Sequence, residues 1–80
     1  MKKINKIKIK LNGKYIKILD KITLHNLIKK MKLPINKVAI ELNQKIVNKK
    51  SINKIIIKKN DKIEIVHFIG GGWWKKMINL

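Results

Sequence analysis

The residues that could do chemistry stand at one end of an apolar stretch. Ile63-Glu64-Ile65-Val66-His67-Phe68-Ile69 runs without a turn residue into Gly70-Gly71-Gly72. Glycine has no Cβ, so it neither restricts its own backbone nor blocks an approaching active site. What such an ending offers a partner is main chain. Its one reactive group would be a glycine carboxylate, carried on a thin stalk and threaded into another protein's channel. In this chain, however, Trp73-Trp74-Lys75-Lys76-Met77-Ile78-Asn79-Leu80 follow, so the carbonyl of Gly72 lies in a peptide bond.

No other constellation competes. The 80 residues include no cysteine, which removes disulfides, thiolate metal sites and a cysteine nucleophile, and suits a reducing cytoplasm. Asp20, Glu41, Asp61 and Glu64 are scattered singly, and neither His25 nor His67 has partners at metal-ligand spacing. Both histidines read as structural or solvated. The formal net charge of +17 raises the possibility of a small lysine-rich nucleic-acid-binding protein. All 21 basic residues are lysine, though, and the bidentate contacts that read guanine and phosphate belong to arginine. Heavy joint use of Lys, Ile and Asn fits the coding bias of an AT-rich genome, and the charge then reads as a solvated surface.

Eighty residues make one small domain with a thin core, able to bury about 60 to 65 % of its unfolded surface. Met1-Lys2-Lys3 opens like a signal n-region, but no sufficient apolar run follows, and nothing approaches the roughly 20 apolar residues of a membrane span. The expectation is a soluble, cytoplasmic chain without a membrane partner.

The elements that would position the glycines follow from periodicity. Lys6 to Leu11 and Lys14 to Leu19 alternate apolar and charged around Asn12-Gly13, the preferred pair for a type I′ turn. A two-residue loop sets Ile9 opposite Ile16 and Ile7 opposite Ile18, so turn and pattern agree. Leu24, Leu27, Ile28 and Met31 mark a helix of about nine residues, with Thr23 as N-cap and Pro34 as the stop. Val38-Ala39-Ile40-Glu41-Leu42 alternates again, Asn43-Gln44 reads as a turn, and Ile46-Val47 as a short return strand. One helical turn is expected at Ser51-Ile52-Asn53, and Lys59-Asn60-Asp61 turns the chain into the last strand. This order predicts an α+β domain, a β-grasp with one helix on one face of a mixed sheet and the last strand paired centrally with the first.

The residues Leu11-Asn12-Gly13-Lys14, Thr23-Leu24-His25-Asn26-Leu27-Ile28, Val38-Ala39-Ile40-Glu41-Leu42-Asn43 and above all Asp61-Lys62-Ile63-Glu64-Ile65-Val66-His67-Phe68-Ile69-Gly70-Gly71-Gly72 resemble the ThiS family of sulfur carriers in thiamine biosynthesis. The resemblance covers roughly residues 7 to 72, and the short helix sets it apart from the related small subunit of molybdopterin synthase, another sulfur carrier. It implies a ubiquitin-like domain over 1–72 and an extension over 73–80. It implies a protein cosubstrate and no enzyme. The terminal glycine carboxylate would be adenylated by an E1-like adenylyltransferase and sulfurtransferase (ThiF-like), converted to a thiocarboxylate, and its sulfur given to a thiazole synthase (ThiG-like).

The carrier would bind no cofactor, and ATP would be used by the activating partner. Gly70, Gly71 and Gly72 would form the flexible tail. The reactive end would be Gly72 after removal of the extension, or Gly71 if the cut falls one residue earlier. Val66, Phe68, Ile69 and Ala39 would form the partner-binding patch. The compartment implied is the cytoplasm, or the plastid stroma for an organelle-encoded copy. Residues 73–80 depart from the family, and three readings stand: a processing protease removes them, the copy is not a working carrier, or they are a weak amphipathic anchor.

The basic surface generates a test of its own. Tyr15 and Phe68 are the only stacking platforms that the sheet strands offer, which is far from an aromatic-lined nucleic-acid surface. Binding to DNA or RNA in a salt titration should be weak and vanish at physiological ionic strength, and sub-micromolar affinity there would reinstate the nucleic-acid reading.

Overall fold

Alternation builds the first two strands as the sequence requires. The computed structural model describes residues 5–69 and 73–76, with backbone alone for 68, 69 and 73–76. Strands β1 (Lys6–Leu11) and β2 (Lys14–Leu19) pair antiparallel, with Ile7 opposite Ile18, Ile9 opposite Ile16 and Leu11 opposite Lys14. Asn12 and Gly13 turn the chain at φ 48° and 83°, the left-handed region that a type I′ turn demands of both central residues. On the other face Lys8 lies opposite Lys17 and Lys10 opposite Tyr15. The Lys8 and Lys10 ammonium groups stand 5.1 and 5.4 Å from the Tyr15 ring centroid, a cation–π contact that partly offsets the like-charge pairing.

Helix α1 (Leu24–Lys30) begins at the expected cap, where Thr23 Oγ1 accepts a 3.1 Å hydrogen bond from the Asn26 N–H. Its end differs from expectation. Helical structure stops at Lys30, Met31 is the C-cap, and Lys32 reverses the chain at φ 59°. The Lys32 N–H donates to Lys29 O and the Leu33 N–H to Ile28 O, so a Schellman-type closure ends the helix before Pro34 is reached. A lysine fills the position that usually takes glycine, which hid the stop from the sequence.

Strand β3 (Val38–Leu42) follows a 3₁₀ turn over Ile35–Lys37, and Asn43 and Gln44, both left-handed, return the chain into β4 (Lys45–Ile46). The return strand therefore lies one residue earlier than Ile46-Val47, because Leu42 pairs with Lys45 directly across the turn. The later helical turn also shifts, to a 3₁₀ turn over Lys49–Ser51, since Asn48 Oδ1 accepts from the Lys50 N–H at 2.9 Å and starts it there. Strand β5 (Lys62–Ile69) is central, and a final strand, β6 (Trp73–Lys76), pairs with it.

The strand order is β2-β1-β5-β3-β4, with β1 and β5 parallel and the other pairs antiparallel, and β6 lies off that path against β5. This is the β-grasp arrangement. One face of the sheet supplies Ile9, Leu11, Val38, Ile40, Ile63 and Ile65 to a core closed by Leu24, Leu27 and Ile28 of α1 and by Ile52 and Ile57. Each of these side chains is aliphatic, so among the described residues the core is held by close packing without a buried aromatic plate.

Two turn asparagines fasten β5 into the sheet. Asn12 is only 8 % exposed. Its N–H donates to Ile63 O at 2.9 Å, its Oδ1 accepts from the Ile65 N–H at 2.8 Å, and its Nδ2 donates to Ile65 O at 3.3 Å. The side-chain amide thus stands in for a further ladder residue where β1 ends. At the opposite edge Asn43 Oδ1 accepts from the Lys62 N–H and its own N–H donates to Lys62 O. Truncating Asn12 would strand two buried backbone groups of Ile65, each worth about 1–3 kcal/mol of desolvation, and leave alanine at a positive φ. Asn12→Ala should lower unfolding stability by at least about 2 kcal/mol in a urea titration, while Asn43→Ala, whose bonds are solvent-exposed, should cost less.

Candidate functional site

The face of the sheet away from α1 is the one the helix leaves uncovered, and its composition follows from strand register. Alternation turns Lys62, Glu64 and Val66 of β5, and Ala39 and Glu41 of β3, away from the core. Ala39 is paired with Val66, Glu41 with Glu64, and Glu41 also with Ile46 of β4. These five residues, Ala39, Glu41, Ile46, Glu64 and Val66, line a shallow hollow of about 330 Å³. Ala39 and Val66 are half-buried at its floor, and Ile46 stands 79 % exposed at its rim.

Two of the four acidic residues of the chain therefore meet across one ladder position on an otherwise strongly basic protein. Like charges directly opposite destabilise a sheet. What the arrangement presents is an apolar floor with a local negative edge, a match for an apolar side chain flanked by cations. On the β1–β2 half of the same face the surface changes character, because Lys8, Lys10, Tyr15 and Lys62 line a second depression.

Of the residues predicted for partner binding, the structure brings Ala39 and Val66 together as cross-strand neighbours. Phe68 and Ile69 continue β5 and pair through their backbones with Trp74 and Trp73, and their side chains lie outside the described residues. Gly70, Gly71 and Gly72 also lie outside them. Ile46, Glu41 and Glu64 were missed as members of the site. The signal was available: once Asn43-Gln44 is taken as a two-residue turn, counting across it sets Ile46 beside Glu41.

Neither histidine joins the hollow. His25 is exposed on α1, as expected. His67 shares the helix-side parity of Ile63 and Ile65 and is half-buried, with no hydrogen bond to Nε2 among the described residues. Among the described residues no group of three or more His, Cys, Asp or Glu could hold a metal ion, and no helix is long and apolar enough to cross a membrane.

A single-helix β-grasp domain whose central strand leads into consecutive glycines is built as a ubiquitin-like carrier. The ThiS family model matches residues 9–72, and the chain belongs to that family. It is 37 % identical over 65 residues to the sulfur carrier protein ThiS of Bacillus subtilis, a match covering 80 % of this chain and 98 % of that one. It is 36 % identical over 66 residues to a thiazole synthase of Magnetococcus marinus, covering 82 % of this chain but only 20 % of that protein. The chain thus spans about a fifth of the length of that relative. The fold is shared with the crystal structure of the thiamine biosynthesis protein ThiS of Geobacter metallireducens, at a TM-score of 0.74 and 23 % identity, over 82 % of this chain and all of that one.

Proposed function

We propose that this chain is a sulfur carrier for the thiazole moiety of thiamine, acting as a protein cosubstrate without catalytic residues of its own. The observation that carries the reading is a family match that runs through β5 and includes Gly72. A carboxylate is a poor electrophile. Joined to AMP from ATP, with pyrophosphate released, the glycine carboxyl gains a good leaving group. Attack by the terminal sulfur of a persulfide on the partner then expels AMP and leaves an acyl disulfide. A second thiol attacks the partner-side sulfur, so that a new disulfide forms on the partner and the glycine leaves as a thiocarboxylate.

The activating partner, a ThiF-like adenylyltransferase and sulfurtransferase, supplies ATP binding and the sulfur, and the carrier holds no cofactor. A ThiG-like thiazole synthase receives the sulfur. Similarity to a stretch of a thiazole synthase chain supports a carrier that works beside such an enzyme. The cytoplasm, or the plastid stroma for an organelle-encoded chain, is the compartment proposed.

The hollow of Ala39, Val66 and Ile46 is proposed to dock these partners, together with Phe68 and Ile69 at the end of β5. Because Ile46 is 79 % exposed, its replacement should leave the fold intact. Ile46→Asp should retain the wild-type unfolding midpoint yet lose about 2 kcal/mol of affinity for the activating enzyme, roughly thirtyfold in Kd by titration calorimetry. An unchanged Kd would remove Ile46 from the contact.

Chemistry at the glycines is tested by mass. In the full chain the Gly72 carbonyl is an amide, and only cleavage before Trp73 frees it. A chain ending at Gly72, incubated with activating enzyme, ATP and a sulfur source, should exchange one oxygen for one sulfur, and the full chain should not until trimmed. Thiocarboxylate on the untrimmed chain would defeat processing, and an inert Gly72-ended chain would defeat the carrier assignment.

A further inference from the structure

One edge of strand β5 is served by β3 from Ile63 to His67, and its other edge is served in three pieces. At Lys62 and Ile63 the neighbour is β1. At Ile65 it is the side-chain amide of Asn12. Val66 and His67 pair with Ala39 and Val38 of β3 and also with Lys76 and Lys75 of β6, so β6 must lie along the edge opposite β3, beyond the end of β1. The residues that follow the glycines thus complete a sheet edge that would otherwise be open over 66–69.

Alternation fixes which backbone groups are involved. The N–H and C=O of Ile65 point toward Asn12, and the C=O of Ile63 accepts from the Asn12 N–H, so odd-numbered residues of β5 face this edge. His67 and Ile69 then face β6, and their partners Lys75 and Trp73 make the hydrogen-bonded pairs. Lys76 and Trp74 turn their N–H groups outward.

We propose that Trp73–Lys76 is an intramolecular strand that occupies the β5 edge and holds the carrier closed until it is peeled away. The proposal rests on the carrier reading above. Two strands side by side are separated by about 4.8 Å between backbones, so a channel sized for a single glycine strand excludes the hairpin irrespective of where its carboxylate lies. Proteases bind their substrates extended, and a segment held by a paired strand must open before it can be cut. Cleavage then tracks the open population, which the β6 pairing sets. Once β6 is gone, the His67 and Ile69 backbone groups are free to accept an extended segment of a partner in its place.

The test compares the full chain with Lys75→Pro, Lys76→Pro and the chain ending at Gly72. Proline at 75 deletes an inward N–H, whereas proline at 76 deletes an outward one and suits an edge strand. Amide exchange followed by NMR should show His67 and Ile69 protected in the full chain and in Lys76→Pro. In Lys75→Pro and in the Gly72-ended chain both should exchange at least tenfold faster, with the Ile40 amide unchanged as a report on the intact core. A broad-specificity protease should cut between Ile69 and Trp73 at least tenfold faster in Lys75→Pro than in the full chain. Equal exchange and equal cutting across all chains would overturn the strand. Both measurements need no partner, so an inert Gly72-ended chain toward the activating enzyme overturns the carrier reading, and with it the purpose assigned to the strand, on separate grounds.

Discussion

The sheet depends on satisfying β5. A strand in the centre of a sheet has backbone donors and acceptors on both edges, and none can be left buried without a partner. Here β1 reaches only Lys62 and Ile63, and the amide of Asn12 carries the ladder one step further to Ile65. That single side chain ties the hairpin turn to the strand that leads to the reactive end. Its left-handed backbone, which closes the hairpin, is also what brings its amide onto β5, so local turn chemistry and long-range sheet assembly are settled by one residue.

How much of this was legible in the sequence depended on whether a local rule had a unique reader. The β1–β2 register was fully legible, because Asn12-Gly13 and the Ile pattern independently select the same pairing. The N-cap at Thr23 was legible for the same reason. The C-terminus of α1 was not, because its closure relies on Lys32 in a conformation that lysine rarely adopts and that no sequence rule assigns to it. The 3₁₀ turn at Lys49–Ser51 moved from its predicted place because an Asn48 side chain captured a nearby N–H.

The site divided along similar lines. Ala39 and Val66 were placed correctly by period-two alternation within their own strands. Ile46 was missed because its place in the hollow depends on pairing across a turn, a relation between strands that alternation alone does not express. Strand β6 was not foreseen at all. Trp73-Trp74-Lys75-Lys76 lacks alternation, and what recruits it is a row of unpaired groups on β5, visible only once β1 is known to stop short.

The Asn12-Gly13 pair has a further consequence, for the ageing of the molecule. An asparagine followed by glycine is the pair most prone to deamidation, since the glycine nitrogen meets little hindrance in attacking the side-chain carbonyl carbon. The amide that carries this carbon is engaged on β5 by two hydrogen bonds to Ile65. Conversion to aspartate would set a carboxylate against the Ile65 carbonyl in place of a donor. The folded chain therefore guards its own chemical weak point, and each excursion that frees the Asn12 amide starts a clock that cannot be wound back.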